Sequence, residues 1–310
     1  MKFALVFPGQ GSQALGMMAA YGDSAVIRAT FDEASQALGR DLWQLVTDGP
    51  AEALNQTVNT QPLMLTAGVA VYRFWREQGG AVPAMVAGHS LGEYAALVVA
   101  GVLPLVDAVP LVELRAKAMQ DAVPAGAGAM AAILGLDAAI IIGICAEAAQ
   151  GQVVQAVNFN APEQTVIAGH KAAVERAAEL CKARGAKRAV MLPVSAPFHC
   201  QLMQPAAEKL KARLAELSLV APSIPVLNNV DVATPNDPAA IKDALGRQAA
   251  APVRWVETMR AMQAAGVTYI FEAGPGKVLA GLVKRCADGV IGGAMADAAG
   301  VAAALAAVKG

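Results

Sequence analysis

The sequence predicts an α/β protein in which helices cover a parallel sheet and a smaller second domain is inserted. Two short apolar segments, Phe3–Phe7 and residues 85–87, are each followed by a glycine-containing turn and then by a helical pattern. Such alternation of strand and helix is typical of a parallel sheet that is buried on both faces. From about residue 123 the order of the predicted strands and helices changes, which indicates the second domain.

The large domain takes its other elements from both ends of the chain. Its predicted helices cover residues 29–38, 62–78, 91–100 and 107–121, with a closing alanine-rich helix from about residue 299. Further strands are predicted at residues 226–227 and 268–271. We therefore assign residues 1–122 and 195–310 to this domain.

Residues 123–194 form the predicted small domain. Strands are expected at 129–134, 153–159, 164–168 and 188–192, and helices at 137–150 and 171–184. Asp137 is the expected N-cap of the first of these helices. The order strand, helix, strand, strand, helix, strand is that of a ferredoxin-like domain.

Composition and charge restrict the partners of the protein. The chain has 24 Lys and Arg against 25 Asp and Glu, so a formal charge of -1 provides no general attraction for nucleic acid or an anionic membrane. The longest apolar run, residues 122–136, contains Pro124, Gly126 and Gly128 and is shorter than the ~20 residues of a membrane span. The N-terminal apolar run stops at Pro8, and the four cysteines form no C-x-x-C pair. A cytoplasmic protein is expected.

Gly88-His89-Ser90-Leu91-Gly92 matches the G-x-S-x-G pattern of a nucleophile turn between a strand and a helix. A Cβ at either glycine would collide with the adjoining strand or helix. Ser90 could instead be an ordinary helix cap, but the strand, both glycines and the helix coincide around it. Glu93 is expected to be an ordinary acid of the first helical turn without a catalytic role.

A serine nucleophile needs a base, and the chain has three histidines, His89, His170 and His199. His89 adjoins Ser90, so its side chain should leave the turn in another direction. His170 lies at the end of a predicted small-domain strand. His199 follows two prolines that stiffen the return into the large domain, and elimination favours it as the base.

The loop from Gly9 to Ala14 fits G-x-G-x-x-A, the fingerprint of a dinucleotide site. That interpretation requires an acid about 20 residues further on that closes a strand. Asp32 and Glu33 fall inside a helical pattern instead. We therefore favour a loop whose Gln10 backbone N–H, together with that of Leu91, would stabilise an oxyanion.

Arg115 lies on the apolar face of its predicted helix, at spacings of three and four from Leu111, Val112 and Met119. No carboxylate stands one turn away to neutralise it. Its head group could reach solvent along the helix edge. The alternative is a guanidinium that binds a substrate carboxylate at two points.

These residues resemble the malonyl-CoA:acyl carrier protein transacylase family over nearly the whole chain. The resemblance rests on Phe7-Pro-Gly-Gln-Gly-Ser-Gln13, Gly88-His-Ser-Leu-Gly-Glu-Tyr94, Arg115, Pro193-Val-Ser-Ala-Pro-Phe-His199, Asn228-Asn-Val230, Gln248 before Pro252-Val253, and Gly274-Pro-Gly276. It implies an α/β-hydrolase-like large domain with an inserted ferredoxin-like domain.

The resemblance also implies roles for residues. Ser90 would be acylated, His199 would be the base, and the Gln10 and Leu91 N–H groups would form the oxyanion hole. Arg115 would bind the malonyl carboxylate. The family orients its histidine by a main-chain carbonyl, which here maps to Gln248.

Two further positions follow from the resemblance. Asn160 would lie at the lip of the small domain near the substrate. Phe198 stands where some relatives carry a smaller residue, in a neighbourhood that influences acyl choice.

The implied reaction moves malonyl from malonyl-CoA to Ser90 and then to the phosphopantetheine thiol of acyl carrier protein, for fatty acid synthesis. No cofactor and no metal are expected, because the coenzyme A thioester is itself the substrate. The chain should act as a monomer and meet its acidic carrier transiently. Candidate cationic contacts are Lys182, Arg184, Lys187, Arg188, Lys284 and Arg285.

Two other classes of function remain open on the residues alone. A thioesterase or lipase would share the nucleophile turn and release free acid. A cofactor-binding module would use the Gln10 loop and would leave Ser90 unlabelled.

Overall fold

The computed structural model describes residues 1–309, which contain nine strands in two separate sheets. In chain order the strands are β1 (Phe3–Phe7), β2 (Met85–Gly88), β3 (Gly128–Leu134), β4 (Val154–Ala161), β5 (Gln164–His170), β6 (Arg188–Met191), β7 (Val226–Leu227), β8 (Tyr269–Glu272) and β9 (Ile291–Ala294). The protein is thus a mixed α/β structure with one parallel and one antiparallel sheet, and the parallel sheet was predicted from the sequence.

Thirteen α-helices and two 3-10 turns, at Ala19–Tyr21 and Gln201–Met203, connect the strands within the described residues. The α-helices are α1 (Ala25–Leu38), α2 (Leu42–Asp48), α3 (Ala51–Leu54), α4 (Thr57–Glu77), α5 (Gly92–Val99), α6 (Leu105–Asp121), α7 (Ala138–Ala149), α8 (Lys171–Ala183), α9 (Gln204–Glu216), α10 (Pro238–Gln248), α11 (Trp255–Ala264), α12 (Val278–Cys286) and α13 (Ala298–Lys309). None of these helices combines the length and apolar character that crossing a membrane would require.

The parallel sheet has the order β7-β2-β1-β8-β9, and its central strand β1 is buried on both faces. Alternate residues of β1 supply the two cores, as the two-residue period of a strand requires. Phe3, Leu5 and Phe7 pack among α1, α4, α5, α6 and α9, whereas Ala4 and Val6 pack against α11 and α12. Because β1 and β2 are adjacent and parallel, the loop after β1 and the turn after β2 emerge side by side.

The second sheet has the order β4-β5-β3-β6, with antiparallel pairing throughout. Helices α7 and α8 cover one of its faces and share a core of alanine, isoleucine, valine and cysteine side chains. The Asp137 side chain accepts a hydrogen bond from the Ala139 N–H, so it caps α7 as predicted.

A short backbone link joins the second sheet to the segment between α10 and α11. The Phe159 N–H donates to the Val253 carbonyl at 3.0 Å, and the Val253 N–H donates to the Val157 carbonyl at 2.8 Å. Strand β4 is therefore fastened to the segment that follows Gln248.

The sequence pattern did not predict strand β9. Gly292 and Gly293 remove the apolar alternation that identifies a strand. A Cβ at Gly292 would lie 2.5 Å from the Ala280 carbonyl oxygen of α12. Glycine is required there because the helix packs closely on the strand, and this contact is invisible in the local sequence.

Candidate active site

The turn between β2 and α5 holds Ser90 in a left-handed conformation, with φ of 52°. A Cβ on Gly88 would lie 1.8 Å from the Gly92 carbonyl carbon, and a Cβ on Gly92 would lie 2.0 Å from the Phe7 carbonyl oxygen. Both glycines are thus sterically required, as the G-x-S-x-G pattern predicts. A serine held in a strained conformation between a strand and a helix N-terminus is typical of a nucleophile. This conformation favours the nucleophile interpretation over an ordinary helix cap.

His199 lies beside Ser90, with 2.6 Å between its Nε2 atom and the Ser90 Oγ atom. Its Nδ1 atom lies 3.0 Å from the main-chain carbonyl oxygen of Gln248. Because a carbonyl only accepts, Nδ1 carries the proton and Nε2 is free to accept the serine proton. The structure therefore places the residues predicted as nucleophile, base and orienting carbonyl in one chain of hydrogen bonds.

The surroundings of His199 keep its imidazole neutral. Burial, followed by the nearby positive charge of Arg115, lowers the pKa of His199 to about 3, although the bond to Gln248 opposes the shift.

The other two histidines make hydrogen bonds away from the Ser90 oxygen. The His89 Nε2 atom lies 2.8 Å from the Asn160 Oδ1 atom, and the His170 Nδ1 atom accepts a hydrogen bond from the Val153 N–H.

The loop after β1 packs directly on the nucleophile turn. A Cβ on Gly9 would lie 2.7 Å from the His89 carbonyl oxygen. Among residues 1–309, neither the Gln10 nor the Leu91 backbone N–H donates to a protein acceptor. The Gln10 side chain donates to Thr57 Oγ1 at 3.1 Å, which fixes the loop. Two N–H groups without protein partners beside a nucleophile are suited to stabilising an oxyanion.

Arg115 is buried, with 1% of its surface exposed, so its head group does not reach solvent along the helix edge. One terminal nitrogen donates to Gln61 Oε1 at 2.8 Å, and the other donates to Ser90 Oγ at 3.0 Å and Gln248 Oε1 at 3.1 Å. Within the described chain the guanidinium pairs with no carboxylate, and its buried Nε has no hydrogen-bond partner. A buried cation of this kind, next to a nucleophile, is prepared for an anionic ligand.

Asn229 is a site residue to which the sequence assigned no role. Its side-chain oxygen accepts the Ser90 N–H at 2.7 Å, and its side-chain nitrogen donates to the Gly88 carbonyl at 2.7 Å. The amide therefore holds the nucleophile turn on both sides of His89. The motif Asn228-Asn-Val230 was the only signal in the sequence, because the contact spans 139 positions.

Glu93 lies in the first turn of α5, as predicted, but it is not an ordinary exposed acid. It is 2% exposed, and its Oε2 atom accepts the Asn229 backbone N–H and the Gln248 side-chain amide, both at 2.9 Å. The helix-turn pattern correctly placed the residue near the helix N-terminus. It could not show that the side chain turns inward to two distant segments.

Asn160 lies at the end of β4, where its side chain meets His89 next to the nucleophile. Phe198, immediately before the base, is half-buried between the cores of the two sheets. Both positions therefore border the site at the junction between the sheets.

Comparison with known proteins shows the family of this chain. Residues 4–303 match the family model described as acyl transferase domain. The chain is 58% identical over 305 residues to the malonyl CoA-acyl carrier protein transacylase of Escherichia coli strain K12, covering 98% of this chain and 99% of that one. The corresponding Bacillus subtilis strain 168 protein is 47% identical over 92% of this chain and 90% of its own length.

Solved structures give the same result. The acyl-carrier-protein S-malonyltransferase of Burkholderia pseudomallei 1710b superimposes with a TM-score of 0.97 at 59% identity, covering 99% of this chain and 100% of that one. A malonyl-transacylase solved with a type II PKS acyl-carrier protein has a TM-score of 0.97 at 53% identity, with 99% and 100% coverage. The chain therefore belongs to the acyl transferase family and, within it, to the malonyl CoA-acyl carrier protein transacylases.

Proposed function

We propose that this protein transfers malonyl from malonyl-CoA to the phosphopantetheine thiol of acyl carrier protein through an ester on Ser90, and so supplies fatty acid synthesis. The observation that supports this function most strongly is the position of the buried Arg115 guanidinium. One of its terminal nitrogens lies 3.0 Å from the Ser90 Oγ atom, and it has no carboxylate partner in the described chain. A malonyl group attached to Ser90 would bring a free carboxylate into this position.

In the first half-reaction, Ser90 Oγ attacks the thioester carbonyl carbon while its proton passes to His199 Nε2. The carbonyl oxygen becomes an oxyanion facing the Gln10 and Leu91 N–H groups. Collapse of this intermediate breaks the carbon–sulfur bond. The coenzyme A thiolate leaves and takes the proton from His199, and malonyl-Ser90 remains.

The second half-reaction reverses these roles. The carrier thiol gives its proton to His199 as its sulfur attacks the Ser90 ester. The same two N–H groups hold the oxyanion, and the carbon–oxygen bond to Ser90 then breaks. His199 returns the proton to the serine oxygen. One thioester is exchanged for another, so no further reactant and no cofactor is needed.

Arg115 favours malonyl as the transferred group. A guanidinium contacts a carboxylate at two points, which fixes the ester relative to the acceptor thiol. The guanidinium now donates to Gln61, Gln248 and Ser90, and these neutral contacts are weaker than one to a carboxylate.

The element arrangement supports a two-domain description. We propose an α/β-hydrolase-like domain of residues 1–122 and 195–310 with an inserted ferredoxin-like domain of residues 123–194. The second sheet, with α7 and α8, has its own core and the predicted order of strands and helices. Asn160 would then mark the lip of the cleft between the domains.

The acidic carrier would approach transiently across the junction of the two sheets. There Arg285 at the end of α12 donates to Gln164 of β5, and Lys284 stands beside it. Among the other candidates, Lys182, Arg184 and Lys187 already pair with carboxylates of this chain. We propose a cytoplasmic monomer without a nucleic-acid or membrane partner.

A transfer assay tests this function. Malonyl-CoA, holo acyl carrier protein and a trace of enzyme should yield carrier heavier by one malonyl group, as measured by intact mass. Apo carrier, which lacks the phosphopantetheine thiol, should remain unmodified. Release of free malonate at the same rate with either carrier would instead indicate a thioesterase.

A further inference from the structure

The proposed mechanism gives no role to a buried carboxylate beside the nucleophile turn, that of Glu93. A buried carboxylate is costly unless its hydrogen bonds and a nearby positive charge compensate for lost hydration. Glu93 meets both conditions with groups that belong to the active site. Asn229 and Gln248 donate to the same oxygen, and Arg115 is the nearby cation.

Gln248 transmits the contact with Glu93 to three parts of the site. Its side-chain nitrogen donates both to Glu93 and to the Ser90 carbonyl at 3.0 Å. Its side-chain oxygen accepts from Arg115, while its main-chain oxygen faces His199. An amide can be flipped, but only one orientation places the nitrogen on the carboxylate and the oxygen on the guanidinium. Glu93, together with the Ser90 carbonyl and Arg115, thus fixes the orientation of Gln248.

Asn229 extends the influence of Glu93 to the nucleophile turn. Glu93 accepts the backbone N–H of Asn229, whose side chain holds the Ser90 N–H and the Gly88 carbonyl. Residues from two distant segments therefore converge on one carboxylate that lies three positions after the nucleophile.

Glu93 lies near enough to Arg115 to offset its positive charge but does not pair with it directly. A carboxylate paired directly with the guanidinium would compete with a substrate carboxylate for the same donors. The Gln248 amide instead lies between the two charges. Glu93 can therefore offset the buried positive charge while the guanidinium stays available.

We propose that Glu93 is the positioning residue of this site: it holds Asn229 and Gln248 in place around Ser90 and balances Arg115 without occupying it. The second part rests on the proposed function, since it assigns Arg115 to the substrate carboxylate. The first part concerns the reactivity of Ser90 toward any electrophile.

The test measures Ser90 labelling by a small uncharged fluorophosphonate, which needs neither malonyl-CoA nor Arg115. Glu93→Gln keeps the shape and removes the charge. We expect its labelling rate to fall about 10- to 100-fold, because small displacements of reacting groups have effects of this size. Malonyl transfer by the same variant should fall at least as much, through kcat more than KM.

Glu272→Gln is the matched control. Glu272 is also a fully buried carboxylate, and it accepts a backbone N–H, that of Ala280, at the start of a different helix. Burial raises the pKa of both Glu93 and Glu272 to about 7. The control should label within about 2-fold of wild type at equal thermal stability. Equal labelling rates for the Glu93 and Glu272 variants would overturn the proposal.

The pH dependence gives a readout that a purely structural role would not move. Protonation of Glu93 below about pH 7 makes the wild type resemble Glu93→Gln. The labelling rate of the wild type divided by that of Glu93→Gln should therefore decrease as pH falls through that value. Arg115, Tyr94 and Asp231 are the charged or titratable groups that face this carboxylate, and both proteins retain them. A ratio that stays constant from pH 8 to pH 5.5 would contradict the proposal.

Two other variants keep the proposal testable if Glu93→Gln does not fold. Glu93→Asp retains the charge but shortens its reach, so we expect an intermediate labelling rate. Gln248→Leu removes the side-chain link while the main-chain carbonyl that faces His199 remains, and labelling should again slow. Wild-type labelling by either folded variant would refute the proposal. If these variants slow Ser90 labelling as expected but no malonyl reaches the carrier in the transfer assay, only the proposed substrate is rejected.

Discussion

Replacing Arg115 with Ala is expected to lower malonyl transfer from malonyl-CoA about 100- to 1,000-fold, while transfer of acetyl from acetyl-CoA falls far less. Hydrogen bonds to a charged group contribute about 1.5–3 kcal/mol each, and a carboxylate would receive two from this guanidinium. Acetyl has no carboxylate, so its transfer loses only the contacts of Arg115 with the uncharged groups of Ser90, Gln61 and Gln248. The measurement is kcat/KM for both thioesters with one carrier preparation.

Two variants control this experiment. Arg115→Lys keeps the charge but loses the two-point contact, so we expect it to retain only part of the preference for malonyl. Lys117→Ala removes an exposed cation from the same helix and should leave both activities unchanged. If Arg115→Ala reduced malonyl and acetyl transfer equally, Arg115 would not be the carboxylate site.

Replacing His199 with Ala should slow acylation of Ser90 by malonyl-CoA about 1,000- to 10,000-fold, at the upper end of what a general base contributes. The imidazole is the only base in hydrogen-bond contact with the Ser90 oxygen within the described chain, and it is neutral because burial and Arg115 lower its pKa to about 3. Single-turnover mixing followed by acid quench and intact mass gives the acylation rate.

His170→Ala is the matched histidine control. His170 accepts a backbone N–H at the end of β5 and makes no hydrogen bond to Ser90. Its removal should change acylation less than about 3-fold. Comparable losses in the two variants would mean that His199 acts through stability and not as a base, and thermal unfolding of both variants would then show the same shift.

Local sequence was sufficient for the parts of the site that local geometry determines. The nucleophile turn could be predicted because both glycines are required by contacts within a few residues or with the neighbouring strand. Arg115 could be predicted because helix periodicity placed it on the apolar face of α6. The small number of histidines made elimination possible for His199.

The missed residues act through contacts between distant segments. Asn229 meets Ser90 across 139 positions, and Glu93 meets Gln248 across 155. Neither periodicity nor capping patterns contain such contacts, so the sequence indicates only an ordinary acid of the first helical turn at Glu93. The burial that makes it informative depends on how α5, α10 and the segment after β7 pack together.

Transfer through a malonyl-Ser90 ester is tested most directly by mixing equal amounts of enzyme and malonyl-CoA without carrier, determining the enzyme mass, and then adding holo acyl carrier protein. We predict that the enzyme gains one malonyl group on Ser90, that the carrier then takes up this group, and that Ser90→Ala does neither. Malonyl-carrier formed at the wild-type rate by Ser90→Ala, or release of malonate without an enzyme-bound group, would contradict transfer through a malonyl-Ser90 ester.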